Sequence, residues 1–221
     1  MSKKAIRFLL VASIALSLAA LSLVGGPARA TETLKVLGQI APAATTGTVT
    51  ITNASPGVVT FTGNSFANGD MVVFTTSGAL PTGLTASTTY FVVNNGTDGS
   101  GKFRVSATSG GSAINTSSAG SGTHTVKGYL IAYTVPASTS TVVSTIVAAN
   151  DSTTTNDTFI VSVHPACAAW ARKYQIAPGT ASPFSDAIIM TFGITLATTD
   201  CVTIYSANGT TVFNIFGSEV Q

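Results

Sequence analysis

The chain has 221 residues, of which 8% are charged, against about a quarter in ordinary globular proteins. So few charges exclude a fold built on amphipathic helices, which need charged outer stripes. A hydrophobic content of 45% excludes intrinsic disorder, and the length fits one large domain or two small ones.

The N-terminus distorts these totals. Lys3, Lys4 and Arg7 precede an uncharged apolar run from Phe8 to Val24, and "GGPARA" follows with small Ala28 and Ala30 around Arg29. Basic, then apolar, then small-x-small is the order of a secretory signal peptide, expected over residues 1–30. The alternative is an uncleaved anchor, since the run lies at the short edge of a spanning helix. Cleavage after Ala30 leaves Lys35, Lys102, Arg104, Lys127, Arg172 and Lys173 against Glu32, Asp70, Asp98, Asp151, Asp157, Asp186, Asp200 and Glu219. Six minus eight is −2, so the formal +2 of the whole chain belongs to the leader. No basic patch remains to track a phosphate backbone, and neither nucleic acid nor, after cleavage, a membrane is an expected partner.

Beyond the leader, short apolar runs alternate with turn residues. In chain order the predicted strands are "TLKVL", "TVTIT", "VVTFT", "MVVFT", "TYFVV", "KFRVSA" and "THTVK". Then come "YLIAYTV", "TVVSTIVAA", "TFIVSV", "AIIMTFGITL", "CVTIYSA" and "VFNIFGS". Their spacing, Thr and Val richness and Gly-, Pro- and Asn-rich separators predict an all-β protein. In "KFRVS", Phe103 and Val105 share one face and Lys102 and Arg104 the other, as in a half-buried strand. "ANGD", "NNGTDGSG" and "ANGT" carry Asn-Gly pairs that suit hairpin turns. Asp70 follows Gly69 at such a turn, where a carboxylate can accept main-chain N–H bonds, and Pro81 and Gly83 shape the next loop. One stretch departs from this pattern. "ACAAWARKY" sets Cys167, Trp170 and Tyr174 at helical spacing, which predicts a short helix or an irregular loop packing the single tryptophan onto a sheet.

The pattern also suggests one domain interrupting another. The run ending at Thr46 changes character at Gly47, and "YLIAYTVPASTSTVV" after Gly128 reads as the resumption of an interrupted hairpin. The expected organisation is a discontinuous β-sandwich over 31–46 and 129–221, with an inserted module over 47–128. Insertions succeed where chain ends lie close at an exposed loop tip.

The outer part, "KVLGQIAPAATT" joined to "YTVPASTSTVVSTIVAAN" and ending "TIYSANGTTVFNIFGSEV", resembles small structural proteins of tailed bacteriophages, notably marine ones. The inner part, "VVTFTGNSFANGDMVVFTTSGALPTGLTASTTYFVV" through "FRVSATSGGSAI" to "GTHTV", resembles the small FCCH-like β module of phage tail and virion proteins. The resemblance implies an antiparallel sandwich or jelly-roll-like outer domain around a small barrel-like module, with a scaffolding role rather than an activity. Phage proteins of this kind begin just before the "KVLGQ" strand, so residues 1–30 are either an acquired leader or an upstream start.

A search for chemistry finds little. His124 lies on the "GTHTV" strand, sharing a face with Val126, and His164 sits before Pro165 at a strand end. A triad of His164, Asp186 and a serine can be drawn, but no G-x-S-x-G elbow supports it. The acids show no glycosidase pair, and "NNGTDGSG" has one acid where a calcium loop needs several oxygen ligands. Walker and dinucleotide fingerprints are lacking. Asn53, Asn95, Asn115, Asn150, Asn156 and Asn208 begin N-x-Ser/Thr triplets, which matter only in a eukaryotic secretory host. Cys167 and Cys201 can pair in an oxidising compartment, closing a loop worth about 4 kcal/mol, or remain separate buried thiols.

The sequence therefore predicts a non-enzymatic protein without metal or cofactor. It is a virion component if phage-encoded, and otherwise secreted, extracellular or periplasmic. Expected partners are other virion proteins or cell-surface glycans, met as a homo-oligomer, with the loop around Thr82 and Thr85 as the contact.

Overall fold

The structure is a computed structural model and describes residues 32–184 and 187–221. The expected signal peptide and Asp186 lie outside the described residues.

The fold is all-β, with antiparallel sheets, a closed six-stranded barrel and a further sheet. In chain order the strands are β1 (Glu32–Ile40), β2 (Thr46–Ile51), β3 (Val59–Thr60), β4 (Met71–Thr76), β5 (Thr89–Val93), β6 (Lys102–Ser106) and β7 (His124–Thr134). They continue with β8 (Ser140–Asn150), β9 (Asp157–His164), β10 (Gln175–Ala181), β11 (Ile188–Leu196), β12 (Cys201–Ser206) and β13 (Thr211–Val220).

One sheet runs β1-β13-β8-β11; the other runs β10-β9-β12-β7-β2-β3-β6-β5-β4, and β4 returns to β7 to close the barrel. The first sheet packs on the β10-β9-β12-β7 end of the second. Alternation along the strands sends Ile146 and Ala148 of β8, Phe213 and Ile215 of β13, Phe159 and Val161 of β9 and Val202 and Ile204 of β12 into this sandwich core. The barrel has its own core, in which Val72, Phe74, Val92, Phe103, Val105 and Val126 meet. Phe103 and Val105 point inward there while Lys102 and Arg104 are half-exposed, which is the period-two arrangement of that strand.

β7 belongs to both parts. Its first half pairs with β2 (Val49 opposite His124) and with β4 (Met71 opposite Tyr129). Its second half pairs with β12, Leu130 opposite Ile204 and Thr134 opposite Cys201. Two predicted strands, "THTVK" and "YLIAYTV", are thus one, and Gly128 between them is not a turn. Its N–H donates to the carbonyl of Thr45 at 2.7 Å, and a Cβ there would collide with the ring of Phe66. Glycine serves close approach here, not chain reversal. A third core cluster fills the junction: Met71, Phe91 and Tyr129 from the barrel meet Ile160, Cys201 and Tyr205 from the sandwich.

Two further features, one unforeseen and one left open between helix and loop by the sequence, have physical causes. β10, "QIAPGTA", carries Pro178 and Gly179, which read as turn residues; it is an edge strand paired only with β9, the place where a strand tolerates proline. "ACAAWARKY" forms no α-helix. It holds two short 3-10 turns, Pro165–Cys167 and Arg172–Tyr174, with Ala166 and Cys167 in the left-handed region at φ 49° and 46°. A lone helix of this length is marginal, and here the three residues at helical spacing find three separate partners instead. Cys167 is bonded to Cys201, Trp170 stacks on Tyr129 and Tyr174 lies against His164.

Candidate functional site

The loop around Thr82 and Thr85 leaves β4 and returns to β5. Thr82 and Thr85 are exposed, while Leu84 between them is buried and anchors the loop on the barrel core. A second segment, residues 115–123, lies beside it. The main chains exchange bonds: Ala79 N–H to the Ser121 carbonyl at 3.1 Å, Ser121 N–H to the Ala79 carbonyl at 2.7 Å, and Ser77 N–H to the Thr123 carbonyl at 3.1 Å. The Ser118 hydroxyl accepts the Thr82 N–H at 2.8 Å and meets the Thr82 hydroxyl at 2.9 Å. The Tyr90 hydroxyl accepts the Thr85 N–H at 2.8 Å. The loop is therefore one ply of a stitched pair, with the Thr82 hydroxyl held against Ser118.

His124 is buried in the barrel wall on the face of Val126, with Nδ1 2.9 Å from the Thr76 hydroxyl. An open cleft of about 360 Å³ runs beside it, lined by Thr48, Val49, Thr50, Ile51 and Gly122. A second cleft of about 390 Å³ lies against Asn68, Val93, Asn94 and Gly110. Both offer hydroxyl, amide or main-chain groups and no charged side chain.

Several ionisable groups are engaged in holding the fold. Asp70 is buried; its Oδ2 accepts the Ala67 N–H and its Oδ1 the Ile131 N–H, both at 2.7 Å. Burial pushes its pKa up to about 6, and the two main-chain bonds pull the other way. Asp157 is fully buried and takes the Ser206 hydroxyl, the Asn208 N–H at 2.9 Å and the Thr210 N–H at 3.2 Å. Asp98 holds Arg104 through two bonds at 2.8 and 2.7 Å, so the single acid of "NNGTDGSG" braces a turn; the Arg104 bonds keep its carboxyl below the usual range. Glu219 receives the Tyr133 hydroxyl at 2.7 Å and lies 2.6 Å from Lys35 Nζ, and bonding to Lys35 first and Tyr133 second lowers its pKa. Burial, more than this bond, raises the Tyr133 pKa to about 12.

His164 is also fully buried. Its Nδ1 lies 3.0 Å from the Ala168 carbonyl and its Nε2 3.0 Å from the Thr203 hydroxyl. A carbonyl only accepts, so Nδ1 carries the hydrogen and Nε2 accepts from Thr203. Burial lowers its pKa, against the Ala168 bond. Its Nε2 lone pair meets the Thr203 hydroxyl, and both side chains are fully buried. Among the described residues, no three His, Cys, Asp or Glu side chains converge as metal ligands.

Cys167 and Cys201 are paired, their Cα atoms 5.2 Å apart, inside the normal span of a bridge. Sequence reasoning missed the long-range roles of Asp70, Asp157 and Glu219. Only Asp70 left a trace, as a carboxylate after a turn glycine.

Compared with protein-family models, with curated proteins and with solved structures, the chain matches none of them.

Proposed function

We propose that this protein is a non-enzymatic structural component of a phage particle, at its tail, fibre or capsid surface, or a prophage-derived homologue of one. The observation that carries the reading is how the acids and histidines are used. Asp70, Asp157 and His164 are buried and bonded to main-chain or hydroxyl partners, which gives rigidity and supports a scaffolding role. The resemblance of "KVLGQIAPAATT" and "YTVPASTSTVV" to phage structural proteins points the same way. In this reading residues 47–128 are an inserted FCCH-like module. The sandwich docks on the particle within a symmetric oligomer, and the stitched loops around Thr82 and Thr85 face the partner.

A second reading, an exported bacterial surface or matrix protein that binds glycans, is favoured by the Cys167–Cys201 pair and by the leader-like order of residues 1–30. Fractionation separates the two. Density-purified particles and the particle-free medium are probed for this chain by mass spectrometry. Recovery at fixed stoichiometry with particles supports the first reading; recovery only as free exported protein sinks it in favour of the second.

A further inference from the structure

Residues 165–174 cross the junction between sandwich and barrel with no strand of their own. One end is held at the sandwich by the bond to Cys201 and by Asp200, whose Oδ1 accepts the Ala166 N–H at 2.8 Å. The middle reaches the barrel side: Trp170 stacks on Tyr129 with centroids 4.6 Å apart and planes 18° apart, and the Thr89 hydroxyl of β5 donates to the Trp170 carbonyl at 3.2 Å. Internally the segment makes only the turn bonds Ala168 N–H to Pro165 and Tyr174 N–H to Ala171. Ala166 and Cys167 are consecutive non-glycine residues in the left-handed region, a conformation that persists only where the surroundings impose it. The buried indole Nε1 of Trp170 has no hydrogen-bond partner, so the segment gives up a polar contact to lie where it does.

We propose that residues 165–174 form a strap that the Cys167–Cys201 disulfide locks over the barrel–sandwich junction, and that a dithiol reductant releases it. This holds whichever of the two functional readings applies. Cys201 is fully buried and Cys167 only partly so, which makes the Cys167 sulfur the one an incoming thiolate reaches. Attack there forms a mixed disulfide with Cys167 and expels Cys201 as a thiolate, which takes a proton. The second thiol of the reductant then closes its own disulfide and frees Cys167. Two electrons and two protons pass to the protein, and the dithiol leaves oxidised. Without the bond, the left-handed pair at Ala166 and Cys167 relaxes, Trp170 lifts off Tyr129, and the apolar junction around Tyr129 is uncovered. Both cores remain, because neither the sandwich nor the barrel cluster includes a strap residue among its buried members.

Trp170 is the single tryptophan, so its fluorescence reports the strap directly, and Arg172 and Lys173 place tryptic sites within it. The oxidised full chain is treated with excess dithiothreitol, alkylation confirms two free thiols, and emission, far-ultraviolet dichroism and trypsin cleavage are followed. The expected result is a red-shifted Trp170 emission and at least tenfold faster cleavage at Arg172–Lys173. The β-sheet signal stays unchanged and the effects reverse on reoxidation. Cys167→Ser should show the released behaviour without reductant. Unchanged emission and cleavage in fully reduced protein would overturn the proposal. So would loss of the β-sheet signal, since the bond would then be a staple of the whole fold.

Discussion

The Asp70 carboxylate accepts the main-chain N–H of Ile131 at 2.7 Å, joining positions 61 residues apart. The bond falls just ahead of the first residue of β4, where β7 changes partners. Met71 is paired with Tyr129, so the next inward N–H of β7 would have no strand beside it. The Asp70 side chain supplies the missing acceptor and continues the ladder by one bond as β7 passes from barrel to sandwich. Its second oxygen closes the preceding turn on Ala67.

Because Asp70 is buried, this bond has a pH dependence. Its carboxyl titrates near 3.8 when unfolded and about 6 when folded. Below the lower value both states are protonated and the fold has its full stability from this group. As pH rises between the two values, the unfolded chain gives up its proton first and stability falls, by about 3 kcal/mol across the window. Asp70→Asn cannot titrate, keeps one acceptor and sets an amide N–H against the other donor, costing about 1–3 kcal/mol at acid pH. Urea unfolding of both proteins should show the wild-type advantage at pH 4 vanishing or reversing at pH 7. Parallel profiles would contradict the assignment.

His164 acts with the opposite sign. Its folded pKa is depressed, so the unfolded chain binds the proton more readily, and stability falls as pH drops below about 6.5. His164→Ala should remove this acid sensitivity. It should also cost about 2–4 kcal/mol, for a buried ring and a Thr203 hydroxyl left unpaired. Proton NMR is the direct check: the His164 ring resonances should titrate with a midpoint below 6.5.

Removing residues 47–128 should leave a folded sandwich, since the cluster around Phe159, Ile146 and Phe213 draws on strands outside that range. The cut exposes Tyr129, Ile160 and Tyr205, which Met71 and Phe91 now cover, and deletes the Asp70 bond. Losing the cover of two such side chains costs about 3–5 kcal/mol. Circular dichroism should therefore show β structure with a melting temperature lower by roughly 10 °C or more. A remainder without β signal would mean that the two parts fold only together.

The non-enzymatic reading is checked by paired variants. His124→Ala should lower stability by about 1–2 kcal/mol, through loss of the buried ring and its Thr76 contact, and leave particle or surface attachment intact. Thr82→Ala with Thr85→Ala should leave stability within about 0.5 kcal/mol, because both are exposed, while weakening attachment several-fold. A turnover abolished by His124→Ala in folded protein would refute the reading.

The sequence alone determined the all-β class, the inward faces of strands such as "KFRVS" and the turn at Gly69–Asp70. Each follows from period-two alternation and local turn chemistry, which depend on neighbours a few residues apart. It could not show that Gly128 lies inside a strand, because the reason is the ring of Phe66 packed against it. Nor could it show that "QIAPGTA" is a strand, because a proline is acceptable only once the strand is known to be an edge. The helical spacing of Cys167, Trp170 and Tyr174 pointed equally to helix or loop, and Cys201, Tyr129 and His164 decided it. The roles of Asp70, Asp157 and Glu219 likewise rest on partners 49 to 184 residues away, the Lys35 partner of Glu219 being the most distant. Burial and long-range hydrogen bonding are properties of the folded chain, and only the tertiary structure sets which distant N–H or hydroxyl a carboxylate meets.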